Sequence, residues 1–599
     1  MLFNQIDSKY PHLKTALLLF VLSLIMRIPF VSSSPNTWDS AYYLTSCRTF
    51  FDLGYFPITR LQYGHFLYLS MICSSSWLFT SFTSILSFEK STILVSVLSG
   101  ALSVIPMFYI ALFLFKKKST AVISALLFSF CPVIWFFSEE IMSDIPSTLF
   151  ILTGIALGMK WFSTEKNKYL AAASIVIGLS LLMRVSNYFI LPAFILPVFI
   201  KTIKKKTLKP MIISSLALAP YLLYVLSAWM ILGMSPEFLL HTTDQMSASI
   251  SNLLSADSWK VFAGIVSTSL TVTLSFLFLF FCIFSYRIMP VKKESENDMS
   301  SYGLFLILLW IIPYFLYWRF TGMVNQHSRL LIFITPPIIL AVARTVAWMA
   351  EEYNRNAENN KHRKTTLLVS VFFISLICLD HIWMRKINTV VLIEDFRAAV
   401  STLSFGNEGI MLILLIPVLA AAFHMLASWV IRKTSGGQKK CDLFAYFVTF
   451  VLLLHLTLYS IPLLAIAHNK IQHEKAEAIW FSQHTPENSV ILSGHEYPFN
   501  RLYAAPRKSI FIGNPDYAVE ETRKALLNNR KVFASSNSYI GHYMPFLNAV
   551  FDFNVIGRIP AGNLRNQEDH EFRYLNYATF AKAYDVEFYE LKLKKRTRK

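Results

Sequence analysis

Four carboxylate side chains fall in two short polar segments that border apolar runs. Asp39 follows the first long apolar run, and Glu139, Glu140 and Asp144 lie together in one short turn between two later runs. Ionisable groups at the boundary of a membrane's hydrocarbon are costly to keep, so a cluster of them indicates a functional site. The alternative is that they are loop carboxylates facing water, and the sequence leaves both interpretations open.

Two arginines are candidate ligands for a phosphate beside these carboxylates. Arg184 stands at the predicted outer end of one apolar run, and Arg329 at the outer end of another. A guanidinium binds phosphate oxygens through a fork of hydrogen bonds. The alternative for both is snorkelling to the membrane interface, which is the role we predict for Arg27. His65 and His327, also at the ends of apolar runs, are weaker candidates for functional residues.

The composition identifies the elements that must position these groups. The chain has 599 residues, of which 54% are hydrophobic and 15% charged, and its mean hydropathy is +0.47. This indicates a polytopic α-helical membrane protein and excludes cytosolic enzymes, secreted disulfide scaffolds and disordered proteins. The net charge of +19 resides in short clusters between apolar runs, as membrane topology requires. No nucleic-acid partner is therefore expected.

Hydropathy predicts about thirteen transmembrane helices. They lie near 14–31, 91–115, 119–137, 144–162, 169–183, 188–200, 211–232, 261–285, 302–318, 330–350, 367–384, 410–431 and 443–467. Lys and Arg concentrate in alternate connections, which predicts a cytoplasmic N-terminus and places both acidic segments and the C-terminal region outside. The absence of an Asn-x-Ser/Thr sequon favours a plasma (cell inner) membrane.

Two segments qualify this topology. Residues 62–88 are long and nearly uncharged and could form a further span, which would reverse the sides; we favour interfacial helices within a first outward loop, 32–90. After residue 470, short apolar strands alternate with helical stretches, which predicts a small extracytoplasmic α/β domain. It has no Gly-rich phosphate-binding motif. Its basic tail, 591–599, is a candidate contact for anionic head groups.

The order of several short motifs resembles the GT-C superfamily. These are polytopic glycosyltransferases that use polyprenyl- or dolichyl-phosphate sugars, and the resemblance is to the branch with protein O-mannosyltransferases and the lipid A aminoarabinose transferase. It covers residues 14–350 and rests on Arg27 followed by WDSAYYL (38–44), LSGALSVIP (98–106), SEEIMSDIPS (138–147), GLSLLMR (178–184) and RLLIFITPP (329–337).

The resemblance implies an inverting glycosyltransferase with Asp39 as catalytic base. Arg184 and Arg329 would bind the donor phosphate, and Asp144, or Glu139 and Glu140, would orient the acceptor or the sugar. The donor's lipid phosphate is already a competent leaving group, so one carboxylate suffices, unlike glycoside hydrolysis.

One departure from the family's pattern bears on metal dependence. Asp39 is followed by Ser40, where many relatives have a second acid. This favours a mechanism that requires no cofactor, and no His/Cys spacing typical of zinc occurs.

The resemblance also implies the domain organisation and the partners. Residues 1–350 would form the catalytic transmembrane core, 351–469 additional transmembrane helices, and 470–599 the extracytoplasmic domain. The partners would be a polyprenyl-phosphate-linked sugar donor, a glycan, lipid or protein acceptor, and membrane lipids.

Other functions remain open at this stage. A flippase or transporter of lipid-linked glycans would use the same charged groups to line a path, but the chain shows no internal repeat of the kind many transporters carry. An O-antigen ligase-like enzyme would transfer whole glycan chains. The sequence does not distinguish mannose, aminoarabinose, galacturonic acid, glucose or arabinose as the sugar, a hexosyl- from a pentosyltransferase, or one acceptor from another.

Overall fold

A computed structural model describes thirteen stretches of the chain. They are residues 12–31, 38–54, 65–82, 86–232, 303–321, 332–355, 449, 452–453, 471–494, 497–536, 546–560, 564–565 and 585–594. The predicted spans 261–285, 367–384 and 410–431, and nearly all of 443–467, lie outside the described residues. The total of about thirteen spans therefore stays a prediction.

The N-terminal part is a helical bundle. Its helices are α1 (Leu13–Arg27), α2 (Trp38–Leu53), α3 (Phe66–Phe82), α4 (Phe88–Leu102), α5 (Val104–Phe115), α6 (Lys118–Phe130), α7 (Pro132–Ser138), α8 (Asp144–Thr164), α9 (Asn167–Met183), α10 (Leu191–Lys205), α11 (Lys209–Ser214), α12 (Ala219–Leu232), α13 (Gly303–Thr321) and α14 (Thr335–Arg355). Short 3₁₀ segments at Ile28–Phe30, Val185–Ile190 and Ser215–Ala217 extend or join them.

Several of these helices are long and apolar enough to cross a membrane. Within the described residues, they are Leu13–Phe30, Phe88–Phe115, Asp144–Thr164 and Val185–Lys205, with a fifth if the pair Lys209–Ala217 and Ala219–Met230, bent by 48°, forms one span. The predicted span 119–137 is instead two helices, α6 and α7. They separate at Cys131 because Pro132 opens α7 and disfavours a helical conformation in the residue before it.

The connections of the bundle sort into two ends. At one end, Lys116, Glu165 and Lys206 each end a helix in the left-handed conformation, and Glu165 pairs with Lys201 and Lys205. At the opposite end, the turn between α7 and α8 carries the predicted acidic cluster, and α9 ends at Arg184. Helices α4 to α10 run back and forth between these two ends.

Helices α2 and α3 lie at the end that carries the acidic turn. His65 immediately precedes α3, and its Nδ1 lies 2.8 Å from the carbonyl oxygen of Met183 at the end of α9. Farther along α3, the Ser75 hydroxyl donates to the Ser91 carbonyl in the first turns of α4. The start and the middle of α3 therefore contact the end of the bundle that carries the acidic turn, and the outward loop spanning 32–90 stays a prediction.

The C-terminal part is a small α/β domain, as predicted. Its strands are β1 (Ile471–Gln472), β2 (Val490–Ser493), β3 (Lys508–Phe511), β4 (Val532–Ser535), β5 (Phe551–Ile559), β6 (Leu564–Arg565) and β7 (Val586–Leu593), and its helices are α15 (His473–His484), α16 (Tyr497–Tyr503) and α17 (Pro515–Leu527). The main sheet has the order β3-β2-β4-β7-β5, with β2, β3 and β4 parallel and β7 antiparallel to both of its neighbours.

Two features of this domain differ from the sequence analysis. The antiparallel strands β5 and β7 were not predicted. The beginning of the supposed basic tail belongs to β7, where Leu591 is buried in the domain core because it faces Val532 and Phe553 on the flanking strands. Residues 591–593 therefore belong to a strand, and the basic residues after 594 lie outside the described residues.

Candidate functional site

The first turn of α2, which contains Asp39, contacts the acidic turn. Asp39 occupies the first turn of α2, where a negative charge is favoured by the helix dipole. The next residue, Ser40, is fully buried, and its hydroxyl donates a 3.1 Å hydrogen bond to Oε2 of Glu140. This contact joins the two acidic segments, which are a hundred residues apart in the sequence.

The three acids of the turn are inside the protein. Glu139, Glu140 and Asp144 are each 1% exposed, whereas Asp39 is partly exposed. The interpretation of the turn's acids as loop carboxylates facing water is therefore wrong. Ser96 of α4 anchors the turn by donating a 3.4 Å hydrogen bond to a main-chain carbonyl within it. Buried carboxylates need compensating partners, and the partners differ among the three.

Asp144 forms an ion pair with Arg184. Asp144 begins α8 and Arg184 ends α9, and these two helices pack along each other, so the pair closes their hairpin at this end. The Nε–H of Arg184 donates to the Ser186 hydroxyl at 2.9 Å, and its guanidinium lies 5.4 Å from the Phe333 ring centroid. The side chain is only 15% exposed. This burial and pairing favour a role inside the bundle for Arg184 over snorkelling.

Glu139 faces Arg27 in the interior of the bundle. Arg27 is fully buried, donating from Nη1 to the Ser23 carbonyl at 3.0 Å and from Nη2 to the Ser129 carbonyl at 3.0 Å. The predicted snorkelling of Arg27 is wrong, because the side chain is fully buried and both of its Nη atoms donate hydrogen bonds inside the protein. Within the described residues, neither oxygen of Glu139 has a hydrogen-bond partner. Burial raises the pKa of this carboxyl well above its usual range, with Arg27 opposing the shift and Glu140 adding to it.

Gly100 of α4 allows this arrangement. A Cβ at this position would lie 2.2 Å from Oγ of Ser138, next to Glu139, and 3.2 Å from Nε of Arg27. Only a glycine lets α4 approach the acidic turn and Arg27 this closely.

A tyrosine–histidine pair lies beside the acidic turn. Nδ1 of His65 lies 2.8 Å from the Met183 carbonyl, so it carries the proton and donates, and Nε2 then accepts from the Tyr43 hydroxyl at 3.2 Å. The same hydroxyl lies 3.5 Å from the Ser143 hydroxyl, beside Asp144. His65 was a weaker candidate and Tyr43 only part of a motif; no spacing in the sequence indicates that they meet.

Other candidates fall outside this constellation. Arg329 and His327 lie outside the described residues. Within the residues that the structure does describe, no group of three or more His, Cys, Asp or Glu side chains is placed to hold a metal ion. Metal independence stays a prediction.

The comparisons with known proteins agree with this architecture. The family model of dolichyl-phosphate-mannose-protein mannosyltransferases matches residues 74–231. No curated protein matches the sequence. The chain is similar in structure to ArnT from Cupriavidus metallidurans bound to undecaprenyl phosphate, with a TM-score of 0.53 and 11% identity over 98% of both chains. The apo state of ArnT from the same organism gives 0.50 and 10% over 96% of both. These likenesses confirm the fold class predicted from the sequence.

Proposed function

We propose that this membrane protein, which has the fold of the GT-C superfamily, is an inverting glycosyltransferase. It transfers a single sugar from a polyprenyl-phosphate donor to an acceptor hydroxyl at the outer face of the membrane. The observation that carries the proposal is the hydrogen bond from Ser40, the residue after Asp39, to Glu140, through which the first turn of α2 contacts the turn that also holds the Asp144–Arg184 pair.

Asp39 is the catalytic base in this proposal. Among the four candidate carboxylates it alone is partly exposed, so an acceptor can reach it from solvent. Glu140 accepts from Ser40, Asp144 pairs with Arg184, and Glu139 is buried beside Arg27. These three contribute by orienting the acceptor or the sugar and by holding the walls of the site.

The reaction needs one carboxylate and one leaving group. The acceptor oxygen attacks the anomeric carbon and gives its proton to Asp39, while the bond from the anomeric carbon to the phosphate oxygen breaks. The lipid phosphate leaves with the electron pair of that bond, and the configuration at the anomeric carbon inverts. The phosphate is a stable anion at neutral pH, so no general acid is required on the leaving side.

Arg184 and Arg329 hold the departing phosphate. Within the described residues, the Arg184 side chain donates hydrogen bonds to Asp144 and Ser186, which leaves N–H groups of the guanidinium for a ligand. Positive charge at the leaving phosphate stabilises the transition state, where negative charge develops. Asp144 fixes the plane of this guanidinium in advance.

The finer assignments follow from the same proposal. Residues 1–350 form the catalytic core, with 351–469 adding transmembrane helices and 470–599 forming the extracytoplasmic domain. The protein resides in the plasma (cell inner) membrane with a cytoplasmic N-terminus. Undecaprenyl phosphate, the lipid bound to the ArnT structure, is the first lipid to test as donor carrier.

The test is sugar transfer by the wild-type protein in lipid nanodiscs. A panel of undecaprenyl-phosphate sugars, radiolabelled in the sugar, is supplied with glycan, lipid and protein acceptors. We expect labelled product with one donor and release of undecaprenyl phosphate in equal amount, and NMR of the product should show the anomeric configuration opposite to the donor's. No transfer in nanodiscs, together with movement of the lipid-linked sugar across the bilayer of sealed proteoliposomes, would contradict the proposal and identify a flippase. Transfer of whole glycan chains would identify a ligase.

A further inference from the structure

The C-terminal domain contacts the bundle through Glu89. Both carboxylate oxygens of Glu89, in the first turn of α4, accept from Nζ of Lys475, at 3.2 and 3.1 Å. The hydroxyl of Tyr503 donates to the same carboxylate, and Nζ of Lys475 lies 4.9 Å from the Tyr503 ring centroid. One acidic side chain of the bundle thus binds two helices of the domain, α15 and α16.

A second set of contacts joins the domain to α2. Nη1 of Arg48 donates to the Leu502 carbonyl at 2.8 Å. Ala41, two residues after Asp39, is fully buried in an apolar cluster with Phe499 and Ala504 of the domain. Helix α16 therefore contacts both α2 and Glu89 of α4.

Both of these helices also contact the acidic turn. Helix α2 reaches it through the hydrogen bond from Ser40 to Glu140, and α4 through Ser96 and the close passage at Gly100. The C-terminal domain therefore contacts α2, which carries Asp39, and the first turn of α4, a helix that packs against the acidic turn. The relative position of these two helices decides how Asp39 faces the turn.

We propose that Glu89 is a positioning residue for the transfer reaction: by binding Lys475 and Tyr503 it fixes the C-terminal domain across α2 and α4 and so holds Asp39 in register with the acidic turn. This inference rests on the proposed function. The side chains of Glu89 and Lys475 are only 17% and 13% exposed, so their attraction is weakly screened by solvent. A displacement of about 1 Å at a reacting group costs on the order of a hundredfold in rate, so the register of α2 is a sensitive quantity.

Charge reversal tests the pairing. Glu89→Lys and Lys475→Glu each place like charges together, and the double variant restores an opposite-charge pair with the positions exchanged. We expect each single variant to lower kcat by about ten- to a hundredfold, with the KM for the lipid-linked donor unchanged, and the double variant to recover most of kcat. Lys508→Glu with Glu521→Lys is the matched control, because this pair lies within the same domain at 3.0 Å.

A second measurement does not depend on activity. Amide hydrogen exchange of residues 38–53 in the full-length protein should accelerate in both single variants and return to the wild-type rate in the double variant. If the wild-type protein transfers no sugar and the variants still show this exchange pattern, the proposed function is contradicted while the contact through Glu89 is supported. Unchanged exchange in the single variants, a kcat equal to wild type, or a loss that the double variant does not reverse would overturn the positioning role.

Discussion

Asp144 and Arg184 form one ion pair. The sequence predicts separate roles for them, with Asp144 at the acceptor or the sugar and Arg184 at the phosphate. Asp144 is 1% exposed and Arg184 15%. Removing one member of a buried pair leaves the other charge without compensation, and this is more destabilising than removing both. An Arg184 variant therefore changes stability as well as ligand binding, and the two effects have to be measured apart.

A double variant separates them. Arg184→Ala should lower the free energy of unfolding by about 3 kcal/mol, and adding Asp144→Asn should recover part of this loss because no buried carboxylate remains unpaired. Both the single and the double variant should bind undecaprenyl phosphate more weakly than wild type. Thermal unfolding in detergent and a lipid-binding assay measure the two effects. Wild-type affinity for the lipid phosphate in Arg184→Ala would remove Arg184 from the phosphate site.

Glu139 predicts a pH dependence of stability. Its pKa is raised by burial, so the folded protein keeps a proton that the unfolded chain releases. The stabilisation is present below the usual carboxyl pKa and is lost as the pH rises through the folded-state pKa. Because Glu139→Gln has no proton to lose, we expect wild type to lose stability relative to this variant as the pH is raised above about 4.5. A difference in melting temperature that stays constant between about pH 5 and pH 9 would show that the carboxyl is already ionised at the lower value.

At the scale of elements, the crossing of α4 with the acidic turn depends on Gly100. An added methyl group would overlap the Ser138 hydroxyl, and crowding of this kind in a packed interior costs about 1–3 kcal/mol. Gly100→Ala should therefore lower the melting temperature. Ser138→Gly in the same chain should reverse most of that effect, because it removes the atoms that the methyl group meets. An equal loss in the single and the double variant would place the cause elsewhere in α4.

The sequence predicts elements better than contacts. Most predicted spans up to residue 232 coincide with helices because runs of apolar residues are a local signal. The break at Cys131–Pro132 is also local, because a proline disfavours a helical conformation in the residue before it. The contact of Ser40 with Glu140 and that of Tyr43 with His65 depend on how distant helices align. Arg27 shows the limit most clearly: hydropathy placed it at a membrane boundary, whereas Ser129 supplies the partner that buries it.

For the whole molecule, the structure separates two ends of the bundle. Helices α2 and α3, the acidic turn and the C-terminal domain share one end, and Lys116 and the Glu165–Lys205 pair lie at the other. The charge distribution predicts that the first end is outside the cell.

Cysteine labelling in intact cells tests this orientation. In a cysteine-free background, Asp52→Cys and Lys531→Cys should react with a membrane-impermeant maleimide added from outside. Lys116→Cys and Lys166→Cys should react only after the membrane is opened. Labelling of positions 52 and 531 from opposite sides would contradict the shared end, and labelling of 116 from outside would reverse the predicted topology.

The central claim is that Asp39 removes the acceptor's proton. The most direct test compares sugar transfer by Asp39→Asn and Asp52→Asn, which change two acids of the same helix; Asp52 lies in its last turn with a side chain that is 66% exposed. Both variants should fold and bind the lipid-linked donor as wild type does. We predict that Asp39→Asn loses transfer by at least a hundredfold, as expected for the loss of a general base, while Asp52→Asn transfers at about the wild-type rate. Transfer by Asp39→Asn at the wild-type rate would contradict the assignment of the base and, with it, the mechanism.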